Sequence, residues 1–396
     1  MNKDLYLTYL YNFLNQSFKE DEEEIPYSIT YIELDTDYDQ QLKERDIPNN
    51  VTHLTFNYFS CVNQELKAGM IPNNITHLTF NFFSRFNQPL KKDDIPNSVT
   101  HLRFGSDFNQ PLKKGIIPNS VIHLTFGDYF NQLIKHGDIP NSVTHLTFDY
   151  YFNQLLKKGD IPNRVTHLTF GDNFNQPLKE KAIPNSVTHL IFKWSFNQPL
   201  KANDIPNSVT HLTFGWDFNQ PLKKKDIPNS VTNLRFGYNF NQKLKKGVIP
   251  ISVIHLNFGS CFNQLLKEGD IPNSVTHLRF GHDFNQELNN NNIPNNLIEL
   301  IIPKNYMISK LKSNKDILIG YFDYDNNYII YDNHDIMINY EKKIELDNNI
   351  SNIDVNKLKG KIIMKELVEK VFHPTRLLNI SNQYNIDFID LIEIYS

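Results

Sequence analysis

The sequence predicts a mainly β fold: a parallel-stranded solenoid of about twelve units of 22–24 residues, with a small α/β appendage at its C-terminal end. Three observations carry this. The dipeptide Ile-Pro recurs in phase thirteen times between Ile25-Pro26 and Ile293-Pro294, in steps of 22, 24, 24 and then nine of 22. Of 29 phenylalanines, eleven close the segment Val-Thr-His-Leu-Thr-Phe (Phe56 to Phe280) and ten open Phe-Asn-Gln (Phe86 to Phe284). A unit this small cannot bury its Val, Leu, two Phe, Leu and Ile alone, whereas stacked copies bury them as continuous columns.

The elements follow in chain order. Leu7, Leu10, Phe13 and Leu14 fall at helical spacing before the acidic run Glu20 to Glu24, which predicts a capping helix and acidic linker over 1–24. Residues 25–302 form the solenoid. Within a unit, His-Leu-Thr-Phe alternates polar and apolar, so Leu and Phe face one way and His and Thr the other. Val and Thr before it favour a short strand, and Pro-Asn-Ser and Gly punctuate its ends. About ten residues then return the chain, often with a proline after Phe-Asn-Gln, so turns or one 3₁₀ turn are expected there rather than a helix. One-way returns require parallel pairing. The remainder, 303–396, reads as a C-terminal cap or small α/β domain. Residues 317–345 look like a hairpin or meander, Ile363 to Phe372 recur at helical spacing, and 388–393 suit a short helix.

Phe-Asn-Gln followed by Ile-Pro resembles the FNIP repeat, a relative of leucine-rich repeats found in social amoebae and amoeba-infecting giant DNA viruses. Val-x-x-Leu-x-Phe likewise resembles the strand segment of leucine-rich repeats. The resemblance spans about residues 25–302 and implies a curved scaffold for protein interactions, with no catalytic residues to carry over. Some relatives place an F-box ahead of the repeats; only 24 residues precede Ile25 here, too few for one.

Composition narrows the function classes. A net charge of −4 and the absence of long apolar stretches argue against nucleic-acid binding and against a membrane span. Cys61 and Cys261 lie far apart without a CxxC, which fits a reducing compartment. The opening Met1-Asn2-Lys3-Asp4 lacks the plan of a signal peptide, so the cytoplasm is expected.

Three polar columns compete for attention. Histidines recur from His53 to His277, interrupted by Asn233, and predict an outward, concave-side ladder. One column supplies ligands in a line, not the tetrahedral convergence of a zinc site, so no metal is expected. Packed imidazoles should titrate below the free value. The Asn-Gln column suits satisfaction of buried turn backbone. The lysine column, Lys43 to Lys267, is followed by Asp46, Asp94, Asp138 and their equivalents, which suits a solvated mixed-charge edge.

The units differ chiefly just after the strand, where large residues stand. Candidate protein-binding residues are Tyr58, Phe59, Phe82, Phe83, Tyr150, Trp194, Trp216 and Tyr238, with Arg103, Arg235 and Arg279 on the outward strand face. Aromatics and arginine are the residue types that dominate binding hot spots. The expected function is a non-catalytic protein-interaction scaffold without cofactor or small-molecule substrate, its partner a protein. Two alternatives are a substrate adaptor of a ubiquitin-ligase system and an enzyme with its site in 303–396.

Overall fold

The computed structural model describes residues 30–34, 42–56, 63–82, 84–312, 317–322, 328–331 and 337–338. The expected N-terminal helix, the helical spacing at 363–372 and 388–393, and Tyr58, Phe59 and Phe83 lie outside the described residues.

Each Leu-x-Phe segment, and Ile32-Glu33-Leu34 before them, forms one short strand. They are β1 (Tyr31–Leu34), β2 (His53–Phe56), β3 (His77–Phe80), β4 (His101–Arg103), β5 (His123–Thr125) and β6 (His145–Thr147). The series continues with β7 (His167–Phe170), β8 (His189–Phe192), β9 (His211–Thr213), β10 (Asn233–Arg235), β11 (His255–Asn257) and β12 (His277–Arg279). Each pairs in parallel with the next at equivalent repeat positions, so Leu54 faces Leu78 and Leu102 faces Leu124. In-phase register carries every repeat position into a column. From β2 to β12 the inward Val (Ile75 before β3), Leu and Phe of the strand segment are buried, joined from Phe86 to Phe284 by the phenylalanine of Phe-Asn-Gln.

The return path consists of turns, and the 3₁₀ turn among the described residues, Ile308–Lys310, lies beyond the regular repeats. Its tightest bend takes a left-handed residue. Glycine stands there at Gly137 and Gly159, with φ of 87° and 91°, whereas Lys181 and Lys225 adopt φ of 62° and 78° at the equivalent position. Aspartate closes the same turn: the Lys201 N–H donates to Asp204 Oδ2 at 2.8 Å and the Lys223 N–H to Asp226 Oδ2 at 2.7 Å. Asp94, Asp138, Asp160, Asp204, Asp226 and Asp270 are 4–8% exposed and Asp46 is half-buried, so the acidic half of the expected mixed-charge edge is structural, and the lysine side chains remain outside. The turn N–H groups partly offset the cost of burying these carboxylates.

Spacing between units grows with depth. Stacked imidazole centroids from His53 to His211 lie 4.1–4.3 Å apart. The Phe-Asn-Gln rings between Phe174 and Phe262 repeat at 6.1–6.2 Å. A stack that is shorter along one side bends toward it, so the histidine-bearing strand face is concave.

The sheet runs on past residue 302, where the sequence pattern stops. Strand β13 (Leu288–Asn289) pairs with β15 (Leu311–Lys312), and β14 (Glu299–Pro303) pairs in parallel with β16 (Leu318–Phe322). Tyr306 takes the phenylalanine slot, its ring 6.0 Å from Phe284 and its hydroxyl donating to Gln286 O at 2.9 Å. The Lys310 ammonium donates to Asn285 O and Oδ1, as the glutamine of a regular unit does one unit earlier. Strands β17 (Tyr328–Tyr331) and β18 (Met337–Ile338) then add antiparallel, as a meander.

Candidate functional site

The concave face is the first surface to weigh. Its imidazoles stack nearly parallel, with interplanar angles of 10–15° from His53 to His211. Except at His123 and His255, which follow isoleucine, Nδ1 lies against the hydroxyl of the threonine before it: 2.9 Å for Thr76 and His77, 3.0 Å for Thr188 and His189. Those hydroxyls donate to the upstream carbonyl at 3.2 Å, so they accept from Nδ1–H, which leaves Nε2 as the ring acceptor. Burial first, and neighbouring imidazoles second, push His77 and His145 down to about 4; His101, His123 and His211 are lowered for the same reasons. Parallel rings aim their lone pairs alongside one another, and among the described residues no group of three His, Cys, Asp or Glu could hold a metal ion.

Arg103 and Arg235 stand exposed on this face and Arg279 is half-buried. Arg235 and Arg279 lie two strands apart with Asn257 between them, whereas Arg103 sits among Thr79 and Thr125 near the other end. They do not form one patch.

The corner after the strand gathers the aromatics. Trp194 stacks on Trp216 at 5.1 Å, and Trp216 on Tyr238 at 4.2 Å, in one column. They remain 51%, 43% and 41% exposed, because a stack covers ring faces and leaves edges to water. Tyr150 belongs to a separate cluster: it meets Tyr151 edge-on at 4.7 Å, and Tyr151 stacks on Tyr129 at 5.0 Å. Asp172 fills the column position between Tyr150 and Trp194. Phe82 is exposed near the N-terminal end.

Beside the Trp194 column lies a shallow groove of about 660 Å³. One column of its lining is Asn175, Asn197, Asn219 and Asn241; the other is Ser195, Asp217, Asn239 and Cys261. Each asparagine is held by the next unit. Asn197 Oδ1 accepts from the Asn219 N–H at 2.9 Å and from Gln220 Nε2 at 3.1 Å, and Asn219 Oδ1 does the same for Asn241 and Gln242. A donor N–H demands oxygen opposite it, so the amide orientation is set. The Nδ2 groups of these four asparagines have no protein partner among the described residues. Sequence reasoning named this column for its backbone role and missed the donors on its other side; their freedom depends on which way the oxygen points, and only the packed neighbour decides that.

The FNIP repeat model matches residues 15–59, 63–107, 86–129, 108–151, 130–159, 152–195, 196–225, 218–261 and 262–305, well over half of the chain. The chain belongs to the FNIP repeat family. Among solved structures, this FNIP repeat protein is similar to CroV588 of the giant virus CroV, described as a novel circular LRR protein. The two share 36% identity at a TM-score of 0.59, over 76% of this chain and 53% of that one. The FNIP repeat chain thus spans about half the length of CroV588. No curated protein matches it. Repeat solenoids of this leucine-rich-repeat-like kind generally act as interaction scaffolds and are not a known enzyme family.

Proposed function

We propose that this FNIP repeat protein is a non-catalytic scaffold that binds a protein partner through the corner after its strands and the adjoining concave face. One observation carries the reading: Trp194, Trp216 and Tyr238 stand exposed and stacked on columns whose inner residues are fully buried. Rings fixed in this way lose little freedom when a partner covers them, which is the usual setting of a binding hot spot. Arg235, on the strand that leads into Tyr238, adds a charged contact on the concave side.

Affinity capture tests this. The full chain is used as bait beside a Trp194→Ala/Trp216→Ala/Tyr238→Ala variant whose melting curve matches wild type. A specific partner held by wild type should be lost from the variant. Equal recovery of the same partners would remove this corner as the binding surface.

A further inference from the structure

Resting on the scaffold reading, we propose that the groove beside Trp194 takes an extended peptide segment of the partner, laid along the solenoid axis at two residues per repeat. Its backbone carbonyls accept from the NH₂ groups of Asn175, Asn197, Asn219 and Asn241. Three features point to this class of ligand.

The first is chemistry. The asparagine oxygens are already committed to the neighbouring unit, so the groove presents a row of donors that calls for a row of acceptors. Opposite them, Ser195 and Asp217 supply acceptors for peptide N–H groups; Asn239 Nδ2 donates to Asp217 Oδ1 at 2.9 Å and holds that carboxylate in place.

The second is period. The phenylalanines next to these asparagines repeat at 6.1–6.2 Å. An extended chain rises about 3.2–3.4 Å per residue, less when twisted, so carbonyls on one side recur about every 6.4–6.8 Å. The mismatch over three steps is about 1–2 Å, within reach of strand twist and of asparagine rotamers.

The third is where the rings stand in these units. Two and three units upstream of Ser195, the equivalent position holds Tyr151 and Tyr129. From Ser195 to Cys261 it holds Ser, Asp, Asn and Cys, while the bulky rings move one residue earlier, to Trp194, Trp216 and Tyr238. With the rings at the earlier position, the groove is lined by small and polar side chains alone. A saccharide would need open ring faces, which this column buries against one another, and the groove lining has no Lys or Arg for a nucleic-acid backbone.

The test uses the full chain and a displayed library of random eight-residue peptides, with selected peptides remeasured as synthetic, labelled probes by fluorescence anisotropy. Two variants accompany wild type. Asn197→Asp/Asn219→Asp keeps an oxygen for the neighbouring unit and replaces each outward NH₂ by oxygen; Ser195→Trp fills the groove and leaves the amides in place. Peptides should bind wild type and lose at least tenfold in affinity with each variant, both variants showing wild-type circular dichroism. Unchanged affinity for the folded Ser195→Trp variant, or for folded Asn197→Asp/Asn219→Asp, would overturn the groove assignment and leave the scaffold reading intact. Failure to select any peptide, or binding confined to oligosaccharides on a glycan array, would overturn it as well. The scaffold reading itself falls only if partner capture is also insensitive to the Trp194, Trp216 and Tyr238 substitutions.

Discussion

Lys193 Nζ lies 2.9 Å from Asp149 Oδ1, although the two residues are two repeat units apart. They meet over Gly171, which occupies the same column in the unit between them. A Cβ on Gly171 would come within 1.9 Å of the Asp149 carbonyl oxygen, so the two backbones lie closer here than a side chain allows. Gly171→Ala should therefore destabilise the array by several kcal/mol, on the order of a strained core insertion. A double-mutant cycle of Lys193→Met and Asp149→Asn should return a coupling of no more than about 1 kcal/mol, because the pair stays partly open to water. Urea denaturation measures both.

Acid should weaken the protein through the concave face. His77 and His145 are held at about 4, below the free value of 6.5, so between those limits the unfolded chain binds more protons than the folded one. Their contribution is complete above about pH 6.5 and is lost progressively as pH falls toward 4. Asp94, Asp128 and Asp204 act in the opposite sense, since burial raises their carboxyls and protonation then favours the fold. A His145→Asn variant separates the two, with Asn233 as the precedent for asparagine in this column. Its melting temperature should fall less than that of wild type between pH 6.5 and pH 4.5; parallel curves would contradict the assignment.

Some turns carry strain that can be relieved. Lys225 has a φ of 78° at a position where Gly137 and Gly159 adopt similar values without penalty. Lys225→Gly should stabilise by about 0.5–1 kcal/mol, the left-handed penalty less the extra unfolded-state freedom of glycine. Denaturation midpoints at constant m-value check this. The same change at Val231, at the base of a strand segment and fully buried, should destabilise.

Removing a column ring should open the array locally. Phe218 stacks 6.1 Å from both Phe196 and Phe240 and 4.0 Å from Phe214. Phe218→Ala should cost about 3–5 kcal/mol. Because each unit packs chiefly on its neighbours, amide exchange should accelerate in the units around residue 218 before it does so near Phe108.

Much of this was legible in the chain. The 22-residue phase, the alternation in His-Leu-Thr-Phe and the two phenylalanine columns predicted parallel strands and a shared interior, and Leu102 and Phe104 are buried as that requires. The continuation beyond residue 302 was hidden because Tyr306 and Lys310 keep the geometry of Phe and Gln while changing the letters. The buried aspartates were hidden for another reason: an Asp beside lysines reads as surface until its carboxylate is seen to accept from the turn. At the candidate site, the sequence located Tyr150, Trp194, Trp216 and Tyr238 but not their partition into a Tyr129–Tyr150–Tyr151 cluster and a Trp194–Trp216–Tyr238 stack, which follows from which of two adjacent positions each ring occupies.

Periodicity alone thus decided that these units stack, since a segment too small for its own core has no other way to shelter its apolar side chains. What it could not decide is how each polar group divides its bonds between the neighbouring unit and the outside. Amide orientation, tautomer and depth depend on distances across units, and those exist only once the array is assembled.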